Sequence, residues 1–171
     1  MPINFPQAKQ QLKNVINQQR GAGGGAVFAR EFTSWYDQTM RRGGDALFQN
    51  PVLSANPAGL QSTLTAALSA PAPPNVFQQA IATGIPLYWT GATLALATPP
   101  PGSGPVVSNV VTSPGTIAYT LPAPNQSIDI FINTLVAAIQ QHLLTVTGIT
   151  TSLVPTPGGP VPTAFPWVGY Q

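Results

Sequence analysis

Residues 127–148 read SIDIFINTLVAAIQQHLLTVTG, and the reading of this stretch decides the fold. Ile128, Phe131, Ile132, Leu135, Val136, Ile139, Leu143 and Val146 recur at steps of three and four, the signature of one apolar helix face. Ser127 suits the N-cap and Gly148 the stop, and Asp129 lies in the first turn, where the helix dipole favours an acid. The spacing predicts one long helix over about 127–147. Burial of each large apolar side chain contributes roughly 1.5–3 kcal/mol, so the remaining segments are expected to pack on this face. The opposite face offers Asn133, Thr134, Ala137, Ala138, Gln140 and Gln141, where a free-standing domain usually carries Lys and Glu.

Upstream, residues 3–20 predict a first helix with Phe5, Ala8, Leu12, Val15 and Ile16 on one face. GAGGG at 21–25 reads as a hinge. Residues 26–42 predict a second helix with an aromatic stripe of Phe28, Phe32, Trp35, Tyr36 and Met40, spaced as a core face. A third helix is expected over 57–70, capped by Asn56 with Pro57 at its first position and broken by Pro71, Pro73 and Pro74. A short fourth spans 75–83, closed by Gly84 and Pro86.

The runs LYWTGATLAL (87–96), VVSNVV (106–111) and TIAYT (116–120) are β-branched or aromatic and bounded by Pro and Gly. They predict a small antiparallel sheet or extended arms at about 87–120. The last 23 residues, ITTSLVPTPGGPVPTAFPWVGYQ, hold five prolines, which exclude a central strand or a helix interior. They predict an extended Pro-rich C-terminal arm, with Phe165, Trp167 and Tyr170 as anchors on its own domain or on a neighbour. The fold class expected is therefore α+β, mainly α: N-terminal helices, one long C-terminal helix, the small sheet and the arm. Residues 1–154 read as a single mainly helical domain with a β insertion at about 86–124, and 155–171 as the arm.

Charge is scarce and uneven. Charged residues make up 6% of the chain, against an average of about 25%. Six cations and three acids fall within the first 45 residues, a net +3, and Asp129 alone gives the remaining 126 a net −1. A surface so poor in charge lacks the repulsion that keeps molecules apart, and suits a chain covered by partners. The balance of +2 comes from few groups, and no dense basic stripe with interleaved aromatics accompanies it, so no nucleic-acid reading follows. No cysteine is present, which removes disulfides and thiolate metal sites. No apolar run reaches the roughly 18 residues of a membrane span, and MPINFPQAKQ lacks the regions of a secretory signal, so no membrane insertion is expected.

Side chains that could carry a mechanism are few. His142 is the single histidine, in the last turns of the long helix. Asp129 and Ser127 lie 13 and 15 residues before it, roughly 20 Å and 22 Å along an ideal helix, too far for direct contact. Glu31, Asp37, Asp45 and Asp129 form no spaced carboxylate pair. Gly21, Gly23 and Ala26 match G-x-G-x-x-A, but a polar helical segment precedes them instead of a buried strand. Asn125–Gln126–Ser127 is a sequon without a secretory signal to give it meaning. An enzyme is not expected, nor any cofactor or metal.

FAREFTSWYDQTMRRGGDALF (28–48), GIPLYWTGATLALATPPPGSGP (84–105) and the ending FPWVGYQ together resemble small structural proteins of tailed bacteriophages: accessory subunits of the neck, tail and baseplate, or minor capsid proteins. The resemblance is one of style over most of the chain and names no single family. It implies a virion component assembled in the host cytoplasm, whose partners are other virion structural proteins and copies of itself. Tyr88, Trp89, Phe165, Trp167 and Tyr170 are the candidate interface residues. The alternative is a carbohydrate- or surface-binding module that stacks ligands on exposed rings at Tyr88, Trp89 and Trp167.

Overall fold

The computed structural model of the protein describes residues 2–19, 24–69, 74–123 and 126–171. Gly21, Gly23, Pro71, Pro73 and Asn125, singled out above as hinge, breakers and sequon, lie outside them. The first two helices are α1 (Phe5–Gln19) and α2 (Gly24–Met40). The stripe of α2 is core: Phe32, Trp35, Tyr36 and Met40 are buried, and Trp35 Nε1 donates to the Ala8 carbonyl of α1 at 2.9 Å. Strand β1 (Val52–Ser54) follows, then α3 (Pro57–Leu68), whose first turn is held by Asn56 Oδ1 accepting from Gly59 N at 2.9 Å.

The fourth helix, α4 (Pro74–Trp89), runs past the stop expected at Gly84 and Pro86. An internal proline costs about 3 kcal/mol or more. Ile81, Ile85, Tyr88 and Trp89 offset it, since helical spacing puts all four in the core. Residues 87–89, expected as strand, are therefore helix.

Four further strands and one helix complete the chain: β2 (Thr93–Leu94), β3 (Val106–Ser113), α5 (Ile128–Leu143), β4 (Thr147–Val154) and β5 (Val161–Val168). The five strands form one antiparallel sheet in the order β1-β2-β3-β4-β5. The mainly helical picture with a small sheet at 87–120 is thereby corrected, because the sheet draws on residues 52 to 168 and its longest pairing is C-terminal.

Two corrections concern the stretch 127–148 and the tail. Helix α5 stops at Leu143, where Thr145 Oγ1 donates to the His142 carbonyl at 2.7 Å. The β-branched run beyond it enters β4, paired on both sides, which satisfies backbone groups that a helix end would leave open. The Pro-rich arm is likewise a strand: β5 pairs residue by residue with β4 from Thr147↔Val168 to Val154↔Val161. Proline is barred from a central strand, but an edge strand has one side without ladder donors, and Pro162 and Pro166 fit there. The last residues then bond to the segment after α2, with Gly44 and Gln171 exchanging two backbone hydrogen bonds of 2.8 Å.

Candidate interaction surfaces

Four of the five aromatics expected at an interface are turned into the chain's own core. Tyr88, Trp89, Trp167 and Tyr170 are buried within the chain itself. Trp89 Nε1 donates to Tyr36 Oη at 2.9 Å, and its ring centroid lies 4.9 Å from that of Tyr170. Tyr88 Oη donates to Asp37 Oδ1 at 2.8 Å, and Arg41 Nε donates to Asp37 Oδ2 at 2.8 Å. Burial, reinforced by the hydrogen bond to Asp37, pushes the Tyr88 phenol far above its ordinary range, and the same carboxylate raises Arg41. Tyr170 Oη donates to the Met40 carbonyl at 2.6 Å and accepts from Val52 N at 3.1 Å, so it ties α2 to β1 from the C-terminus. Burial raises its pKa as well. Trp167 Nε1 donates to Asn109 Oδ1 across the sheet at 3.0 Å. Phe165 is half-buried, edge-on to Phe48 at 6.5 Å. These rings lock the C-terminus to the domain, and periodicity missed this because proline broke the pattern. No exposed ring remains at Tyr88, Trp89 or Trp167 for a ligand to stack on.

Asp45 is fully buried, and its carboxylate accepts from the backbone N–H groups of Leu47 (3.1 Å), Phe48 (2.5 Å) and Asn50 (3.0 Å). It is a turn-former whose charge is matched by three donors. Asp129 pairs with Lys13 at 2.7 Å, and Ser127 Oγ accepts from Ile130 N at 3.4 Å as the α5 N-cap. Both stand at the opposite end of α5 from His142, so these three side chains make no catalytic constellation. Among the described residues no His, Cys, Asp and Glu cluster suited to a metal occurs.

Among the described residues, two open surfaces bear on assembly. The first is the outer face of β3–β4–β5. Pairing puts Val110, Ile149 and Pro166 in one cross-strand row, with Thr147 and Val168 beside it and Thr151 and Ala164 on the other side. Val110 is 38% and Val168 is 64% exposed, and no charged side chain lies on this face. The inner face carries Val106, Asn109, Gly148, Thr150, Ser152 and Trp167, all buried. The free edge of β5 is blunted: Pro162 and Pro166 supply no N–H, which discourages another strand from adding there.

The second is a groove of about 520 Å³ between α5 and residues 116–120, walled by Thr134, Ala137, Ala138, Gln141 and His142 on the helix side. Segment 116–120 alternates, with Ile117 and Tyr119 buried and Thr116, Ala118 and Thr120 exposed. Its ends are pinned. Thr116 N donates to Thr145 Oγ1 at 3.2 Å, and Leu121 N donates to Gln78 Oε1 at 3.2 Å. Between those pins, the backbone groups of residues 117–120 have no hydrogen-bond partner among the described residues. His142, 1% exposed, has neither ring nitrogen in a well-formed hydrogen bond; the Thr116 backbone is near but poorly aligned. Burial lowers its pKa to about 4, and the nearby Thr116 backbone offsets that only in part.

No helix among the described residues is long and apolar enough to cross a membrane. No family model, curated protein or solved structure matches the chain.

Proposed function

We propose that the protein is a structural subunit of a large assembly, acting by subunit packing without catalysis. The observation that carries this reading is the uncharged outer face of β3–β4–β5, where the apolar row of Val110, Ile149 and Pro166 is flanked by Thr147 and Thr151. Sheets pack face to face about 10 Å apart with interdigitated side chains, and a face without charge meets a like face with no repulsion to overcome. The prolines of β5 favour contact through the face, because they remove two of the donors that strand addition at the edge would use.

The sequence resembles in style the neck, tail, baseplate and minor capsid proteins of tailed phages, and on that resemblance we place the assembly in a virion, with other virion proteins and further copies of this chain as partners. A dilution series by sedimentation velocity tests the reading: the chain should associate in a concentration-dependent way. A soluble monomer up to high concentration would overturn it.

A further inference from the structure

We infer that residues 116–120 form a second interface, a strand that pairs antiparallel across a two-fold axis with the same residues of another copy of this chain. The inference rests on the assembly reading and adds a contact separate from the sheet face. Larger assemblies need it, because one isologous face closes into a dimer and stops there.

Backbone N–H and C=O groups in folded chains are almost always paired, and an extended run without partners is a template for another strand. Residues 117–120 are such a run: their burial alternates as a strand's does, and the flanking residues are hydrogen-bonded to Thr145 and Gln78. The alternation fixes the register. Residues opposite each other in a sheet point to the same face. Buried Ile117 and Tyr119 must therefore face their own kind, and exposed Ala118 must face an exposed residue. Pairing all five residues under that rule places Ala118 against Ala118, Ile117 against Tyr119, and Thr116 against Thr120. The identity of the partner follows from the self-complementarity of this pattern and from charge. No ionisable side chain other than neutral His142 lines the groove, so two copies meet without like-charge repulsion. The groove lies on the side-chain face of Thr116, Ala118 and Thr120, opposite the small residues Thr134, Ala137 and Ala138, so it flanks the strand pair and leaves the backbone edge to the partner.

The absence of cysteine from the chain makes crosslinking a clean test. Directly opposed residues of an antiparallel pair have Cα atoms roughly 4.5–5.5 Å apart, inside the range of roughly 4.4–6.8 Å that a disulfide spans. Ala118→Cys in the full chain should oxidise to a covalent dimer at least tenfold faster than Ser62→Cys, an exposed control on α3. Thr116→Cys and Thr120→Cys should crosslink when mixed and not separately, since like residues there are about 13 Å apart along the strand. Unchanged circular dichroism of each variant confirms folding. Crosslinking of Ala118→Cys no faster than the control overturns the inference. If the protein still associates by sedimentation, the 116–120 contact alone is lost; if it is also monomeric, the assembly reading falls with it.

Discussion

Trp167 lies directly over Gly148, its cross-strand partner on the inner face of the sheet. A β-carbon at position 148 would be driven into the indole and against the Val110 carbonyl. The glycine is there because the ring needs the space. Gly148→Ala should therefore destabilise the protein by about 1–3 kcal/mol, the range for overpacking a filled core. Urea denaturation checks this, and a loss under about 0.5 kcal/mol would mean that Trp167 is not fixed against β4.

Tyr170 joins three elements through one hydroxyl. Tyr170→Phe leaves Val52 N–H buried without its acceptor, at a cost of about 1–3 kcal/mol. Deleting residues 155–171 removes β5, Trp167 and Tyr170 together, and the truncated chain should fail to give a cooperative thermal transition. A truncation that melts like the full chain would return the C-terminus to the status of a separable arm.

His142 makes stability depend on pH with a defined sign. Its folded pKa, about 4, lies below the ordinary 6.5, so between those values the unfolded chain binds more protons. Stability is then complete above pH 6.5 and falls as the pH drops toward 4, by up to about 3 kcal/mol from this group. Asp129 with Lys13 stands at the far end of α5, and the groove wall around His142 carries no other titratable side chain. His142→Leu should flatten the denaturation midpoint between pH 6.5 and 4; an unchanged slope would assign the pH dependence to other groups.

Much of the helical framework was legible. The α2 stripe is core, and the α5 face from Ile132 to Leu143 is buried as its spacing predicts, because helical period survives in sequence wherever one side is buried. The sheet was harder to read. Gly148 looks like a helix stop until its cross-strand partner is known, and Val161–Val168 looks unstructured because two prolines mask its alternation. Pro86 suggests a terminus, yet the burial of Tyr88 and Trp89 carries the helix through it. Long-range pairing decided each of these positions, and local propensity does not encode it. Large rings dominate interfaces and cores alike, so their presence in the sequence does not tell one from the other. Charge is nearly absent after Asp45, but that scarcity locates nothing: the outer face is placed by the register of β3, β4 and β5, and the groove by the packing of residues 116–120 beside α5.

Assembly through the outer sheet face is the central claim, and sedimentation velocity of the wild type beside Val110→Lys/Val168→Lys tests it most directly. Both side chains are exposed, so two lysines should leave the melting temperature within a few degrees while placing like charges on the face. The account predicts that the wild type associates as concentration rises and that the double variant needs at least tenfold more protein to reach the same average mass. Equal association of the two, or a wild type that stays monomeric throughout, would contradict it.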